Sequence, residues 1–338
     1  MKMIKRLKLA LHYIGDICLK TIKNSKAYSP TFALYGLVWW IGFFVRTRFS
    51  WNLTSYALKN KTKWLDSYFE KQYADIIDKY KTFDIKHYTS NENFVIWVFW
   101  GQGEKQMPPL VKACYRQLTY YNSNVQLITN ENLNKYITIN PIIIKKVKKR
   151  EIGYANFSDI IRNTILASYG GLWLDATVWV SGAIPFQKLR ELPIYTANNK
   201  EVISGNSVRF WSSYDWNWSS WCLWANYPGH PFYCFTRDML TAIALREHVW
   251  PDYVIQDYLF YYACRKIPGI KEQFDMINLH NQNKDELAFF MPQEFDLDKY
   301  NKLSKNNCFF KLRYRTPWPV QTKEGKETFY GRILRNII

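Results

Sequence analysis

The stretch from Tyr154 to Pro185, YANFSDIIRNTILASYGGLWLDATVWVSGAIP, constrains this chain more than any other. Ser158 reads as a helix N-cap with Asp159 in the first turn, where the helix dipole favours a negative charge. Ile160, Ile161, Thr164, Ile165 and Ala167 to Tyr169 continue a largely apolar helical pattern, and Gly170-Gly171 ends it. Leu172-Trp173-Leu174 then reads as a short buried strand closing on Asp175-Ala176-Thr177, with Val178-Trp179-Val180 and a Gly/Pro break behind it. Open α/β sheets bind ligands at such carboxyl ends of strands. Asp159 and Arg162 stand one turn apart on a helix face directed toward Asp175, which supplies a carboxylate for ribose hydroxyls or a metal and a guanidinium fork for phosphate. A surface Asp–Arg pair with an unrelated turn Asp accounts for each residue singly; the common spacing around the Gly-Gly turn favours a site.

Around this segment the pattern is α/β. Phe94 to Trp100 (FVIWVFW) is a continuous apolar run, as a buried parallel strand requires, and Gly101-Gln102-Gly103 breaks it. Pro108-Pro109 opens a helix through Tyr121, and Val125 to Thr129 forms a second strand, which completes a βαβ unit. The Gly-Gln-Gly lacks the third glycine and the spacing of a phosphate-binding fingerprint. Asn130 to Arg150 passes through another helix into a basic run. Gln187 to Ala197 leads to a further strand, His230-Pro231 starts a helix toward His248, and Pro251 to Tyr262 holds Gln256-Asp257. Asn206 to Tyr227 carries Trp211, Trp216, Trp218, Trp221 and Trp224; the expectation is that most are core and one or two line an acceptor groove, where sugar rings stack on indoles.

The chain has 338 residues and a net charge of +18, with 48% hydrophobic and 18% aromatic residues. That composition suits a packed globular protein rather than a disordered one. So basic a chain calls for an anionic partner. Nucleic acid is disfavoured, because there is no zinc-finger spacing, no aromatic RNA-binding strand pair and no Lys/Arg-rich arm interleaved with glycine. Six scattered cysteines without a CxxC read as reduced thiols.

The distribution of charge points to a membrane surface. Met1 to Lys26 has seven Lys/Arg against the single acid Asp16, threaded with leucine and isoleucine, which suits a basic amphipathic helix at an anionic membrane surface or a helix packed on the domain. Phe32 to Val45 is an uncharged run of 14 residues. It is too short to span a bilayer, which takes about 20, so it reads as an interfacial insertion or a buried core helix. Trp51 to His87 is helical by spacing, with a charged solvated face. The expected organisation is a helical, basic, membrane-associating region over 1–90 and an α/β domain over 91–338, located in the cytoplasm at the inner face of the cell membrane.

The string S-D-x-x-R-x-x-x-L-x-x-x-G-G-x-W-x-D-A-T, Ser158 to Thr177, resembles the core of the bacterial capsular polysaccharide synthesis glycosyltransferases. These are related to the DXD-motif sugar transferases, among them mannosyltransferases and the glucosylating clostridial toxins. The resemblance extends more loosely from about Phe94 to Arg315. It implies a GT-A-like nucleotide-binding sheet flanked by helices, and retaining transfer from a UDP- or GDP-sugar to a lipid-linked or oligosaccharide acceptor. It further implies that Trp100 stacks on the base, Asp159 holds the ribose and Arg162 the donor. Asp175 holds the metal-bound diphosphate, Gln256 and Asp257 lie near the anomeric carbon, and Lys311, with Arg313 as the weaker choice, contacts phosphate from a late loop. Hard oxygen donors suit Mn²⁺ or Mg²⁺. Thr177 stands where the strict D-x-D has its second aspartate, and a hydroxyl is the weaker ligand. A non-catalytic carbohydrate-binding or scaffold protein of a polysaccharide assembly is the alternative, and the tryptophan-rich segment and the missing second aspartate would suit it.

Overall fold

The computed structural model describes the chain except residues 1, 46–47, 83–93, 198–217, 279–280, 282, 306 and 336–337, and except the side chains of residues 2–14, 43–45 and 48–52. Four helices precede the sheet: α1 (Lys2–Ala27), α2 (Pro30–Val45), α3 (Arg48–Gln72) and α4 (Ala74–Lys81). The helical pattern expected from Trp51 onward therefore breaks at Tyr73, whose ring is fully buried; its continuation to His87 lies outside the described residues.

Then follow β1 (Ile96–Phe99), α5 (Pro109–Tyr121), β2 (Val125–Ile128), α6 (Pro141–Lys148), α7 (Tyr154–Tyr169), β3 (Gly171–Asp175), β4 (Val178–Val180), α8 (Phe186–Arg190), β5 (Ile194–Thr196) and β6 (Cys222–Ala225). The chain continues through α9 (Pro231–Arg246), α10 (Ile255–Lys266), α11 (Ile270–Asp275), α12 (Glu286–Phe290), α13 (Leu297–Ser304), β7 (Phe309–Lys311) and α14 (Phe329–Arg335).

The main sheet has the order β2-β1-β3-β6-β5, and β4 pairs with β7 in a separate two-stranded ribbon. β1 is parallel to both β2 and β3, whereas β6 is antiparallel to β3 and β5. The sheet is therefore mostly parallel, with β6 as its one reversed strand. All four residues of β1 and Gly171 to Leu174 of β3 are buried, as the continuous apolar runs require for central strands covered on both faces.

The α7–β3 turn needs both glycines. Gly170 and Gly171 have φ of +66° and +89°, and a Cβ on Gly171 would stand 2.5 Å from the Val95 carbonyl oxygen. Only a residue without a side chain takes that backbone and that approach together.

The amino-terminal helices are fastened to α9, α10 and the loop between them. Tyr68 and Tyr73 donate to the Glu247 carboxylate at 2.8 and 2.6 Å, and Arg265 grips Asp66 through both terminal nitrogens. Lys61 pairs with Asp252, and both side chains are almost completely buried. Phe69, Tyr73 and Tyr80 join the same apolar core as the sheet residues.

Candidate active site

The path of the chain makes a switch point between β1 and β3. From β1 it crosses through α5 to β2 on one side, then returns past β1 through α6 and α7 to β3 on the other. Ligands of open α/β sheets bind where the connections diverge in this way. Phe99 is in register with Asp175, so Trp100 and Asp175 emerge at the same end of adjacent strands. The Asp175 amide donates to the Trp221 carbonyl at 2.9 Å, which anchors the strand end. On the ribbon, Val178 is opposite Lys311, and this pairing sets the Lys311 ammonium 2.7 Å from Asp175 Oδ2.

Helix α7 begins at Tyr154 with Gly153 as its N-cap and has no acid in its first turn. The expectation of Ser158 as N-cap with Asp159 in the first turn is thus corrected. The apolar helical face starts earlier, with buried Phe157, and carries Asp159 into the helix body, away from the positive end of the dipole. What holds Asp159 is side-chain chemistry. Arg162 Nη1 donates to Asp159 Oδ1 at 2.7 Å, and Nη2 donates to Asp175 Oδ1 at 2.9 Å. One guanidinium therefore joins the helix carboxylate to the strand carboxylate, as the spacing of the three residues anticipates. Its plane lies against Trp173, 5.3 Å from the ring centre, and Trp173 Nε1 donates to the same Asp175 oxygen at 3.1 Å. Arg162 Nε is buried without a hydrogen-bond partner.

A third element closes the network. Gln256, on the first turn of α10, accepts from Asn163 at 2.7 Å and from Arg162 at 3.4 Å. Asn156 donates to the Tyr253 carbonyl at 2.9 Å, and its amide also stands 3.5 Å from Asp159 Oδ2. Asp257 turns to Trp218, whose indole donates to it at 2.7 Å.

These carboxylates carry different charge. Burial alone would raise Asp175, but Lys311 and Arg162 outweigh it and hold its carboxyl far below the usual range. Asp159 goes the other way, to about 7, because burial and the charges of Asp257 and Asp175 outweigh its half-share of Arg162. Burial likewise raises Asp257 to about 6, opposed by the Trp218 hydrogen bond. Two cations on Asp175 against one shared cation on Asp159 decide which carboxyl keeps a proton.

Asp159, Arg162, Asp175, Gln256 and Lys311 thus form one bonded network, with Asp257 beside it. Trp100 stands at the end of β1, half-buried, edge-on to Tyr314 at 5.7 Å, with a buried indole N–H that has no partner. Thr177 lies in the turn beyond Asp175 and its carbonyl accepts from Leu312 at 3.0 Å. Arg313 is exposed. Among the described residues no group of three or more His, Cys, Asp or Glu could hold a metal ion. Asp175, its two oxygens already engaged by cations, fits a cation carried largely by phosphate oxygens better than one caged by protein alone.

Sequence patterning missed Asn156 and Asn163, although they stand three residues before and four after Asp159 on the same helix face. It also missed Lys284. That ammonium donates to Ser219 Oγ at 2.7 Å, forms no ion pair among the described residues, and lies 6.0 Å from the Trp221 ring, which Lys311 approaches at 5.9 Å. Burial lowers its pKa. Of the tryptophan-rich segment, Trp224 is core, Trp218 holds Asp257, and Trp221 is half-buried between two lysines. Trp211 and Trp216 lie outside the described residues.

The sequence model of the family described as Capsular polysaccharide synthesis protein matches residues 46–333. No curated protein matches the chain. A solved structure described as a transferase mutant aligns with 15% identity over 60% of this chain and 94% of that one, at a TM-score of 0.28. A likeness that loose carries no argument.

Proposed function

The chain belongs to the capsular polysaccharide synthesis protein family, and from that premise we propose that it is a glycosyltransferase. It moves a sugar from a UDP- or GDP-sugar to a growing lipid-linked or oligosaccharide glycan, on a sheet of GT-A-like design. The observation that carries this reading is the convergence of Arg162 and Lys311 on Asp175 at the β1/β3 switch point. Two cations and a carboxylate held at one point suit a diphosphate with a divalent ion: Arg162 and Lys311 would take the phosphates, and Asp175 would hold the ion.

In this reaction the bond from the anomeric carbon to the β-phosphate oxygen breaks with its electron pair on phosphate. The acceptor oxygen bonds to that carbon, and its proton passes to the departing phosphate, so no strong protein base is needed. Lys311 and Arg162 offset the charge that grows on the diphosphate in a site where burial strengthens each interaction. Asp159 takes the ribose hydroxyls and Trp100 stacks on the base. Gln256 is held by Asn163 with its amide toward the cluster, beneath the donor sugar of a retaining enzyme, and Asp257 stands behind it. Mn²⁺ or Mg²⁺, held by Asp175 with Thr177 adjoining, would supply Lewis-acid neutralisation of the diphosphate.

The test is a thermal-shift panel of UDP- and GDP-sugars with and without Mn²⁺, on the wild type and on Asp175→Ala. A donor at about one hundred times its Kd stabilises by about 2.7 kcal/mol. We expect a metal-dependent rise with one nucleotide class that disappears in the variant. A folded wild type that responds to no donor would sink the transferase reading and favour a carbohydrate-binding scaffold instead.

A further inference from the structure

Helix α2 has 16 residues and no charge anywhere on its circumference. In water such a helix belongs in a core, and a buried core helix was one of the two readings of its sequence. The structure overturns that reading. Among the described side chains of α2 only Phe32, Ala33 and Gly42 are buried. Leu34 is 55% and Ile41 49% exposed, and half-buried Leu37 and Val38 fill the positions between them. The spacing 34, 37, 38, 41 is one continuous helical stripe, left uncovered by the packing of α2 between α1 and α3. Half-buried Trp39 and Trp40 meet edge to face at 5.1 Å on the same helix.

The neighbouring helix is predominantly basic. The sequence of α1 holds seven basic residues against the acid Asp16. Leu19 and Ile22, each 53% exposed, are followed one turn on by exposed Lys23 and Lys26. Apolar and cationic side chains alternate here along one face, as on helices that lie in a bilayer interface. At about 1.5 Å per residue α2 is about 24 Å long, shorter than the roughly 30 Å hydrocarbon layer, so it suits the plane of the interface rather than a crossing.

We propose that the α1–α2 face docks on an anionic lipid bilayer, α2 entering the interface with Leu34, Leu37, Val38 and Ile41 while Lys23 and Lys26 meet the headgroups. Tryptophans favour that depth. Helix α1 also reaches the loop that leads into Gln256: Asn24 donates to the Pro251 carbonyl at 3.0 Å, and Lys20 stands 3.9 Å from Asp252. This inference needs neither donor nor acceptor and stands apart from the transferase reading.

Co-sedimentation of the full chain with vesicles tests it, using equal parts phosphatidylcholine and phosphatidylglycerol against phosphatidylcholine alone. The wild type should pellet with the anionic vesicles. The double variant Leu34→Glu/Ile41→Glu, shown folded by circular dichroism, should bind about tenfold more weakly or worse. Lys23→Glu/Lys26→Glu leaves the apolar stripe intact and should lose the preference for phosphatidylglycerol. A wild type that stays in the supernatant overturns the proposal, as do variants that bind like the wild type. It is also overturned by a wild-type dimer that Leu34→Glu/Ile41→Glu disperses, because a second copy would then cover the stripe.

Discussion

Replacing Asp159 by asparagine removes a charge that the fold holds at a disadvantage while keeping the size of the side chain. An ordinary aspartate titrates near 3.8, and Asp159 in the folded chain near 7. At about 1.36 kcal/mol per pH unit that interval amounts to about 4 kcal/mol against folding once the group is fully ionised. The folded protein binds the proton more tightly than the unfolded chain, so stability falls as pH rises from about 4 to about 7 and levels off above. Asparagine carries no such penalty. Between about pH 5 and pH 8 the wild type should therefore lose about 2.6 kcal/mol relative to Asp159→Asn. An unfolding entropy of about 2.1 cal/mol/K per residue over 338 residues is about 0.7 kcal/mol/K, which turns this into about 4 °C in Tm. Melting the two ligand-free proteins side by side across this range reads the gap directly. It should open toward high pH, with the variant the more stable. A gap that is constant with pH, or that widens toward pH 5, would refute the argument that Asp159, with one shared cation, keeps its proton while Asp175, held by Lys311 and Arg162, stays ionised. The same variant should bind donor more weakly, since the ribose would lose a charged hydrogen bond worth about 1.5–3 kcal/mol.

Lys61→Met leaves the Asp252 carboxylate buried with Lys20, at 3.9 Å, as its remaining charge partner among the described residues, and should destabilise the chain by about 3–5 kcal/mol in denaturant melts. Lys61→Met/Asp252→Leu should recover most of that, and a double variant as weak as the single one would show that packing, not charge, is lost. Trp100→Ala should raise KM for the donor about tenfold with kcat little changed, because stacking on the base is alike in the ground and transition states. A fall in kcat at constant KM would remove Trp100 from base recognition.

How much of this was legible depended on how local the signal is. The run from Ile160 to Asp175 reads correctly as helix, double-glycine stop and buried strand, because turn geometry and period are properties of neighbouring residues. The Asp159–Arg162–Asp175 constellation was legible for the same reason, since i, i+3 spacing and a strand end fix directions within one segment. The helix start was not legible: Ser158 is a good cap by type, yet Phe157 packs as part of the helix body, and burial overrode the local preference. Lys284 gave no signal, because its place beside Trp221 arises from chain far away. Gln256 and Lys311 were named from resemblance alone; only the packing of α10 on α9, which lies against α7, brings Gln256 to Arg162, and only the pairing of β7 with β4 brings Lys311 to Asp175.

The sequence by itself determined the α/β pattern, the glycine turn and the charged triad, all set by contacts within about twenty residues. The tertiary structure alone decided which carboxylate is ionised, because that depends on how two cations from separate segments are shared. It also decided that one stripe of α2 lies uncovered. An uncharged helix reads the same whether a core or a bilayer receives it, and only the placement of its neighbours tells the two apart.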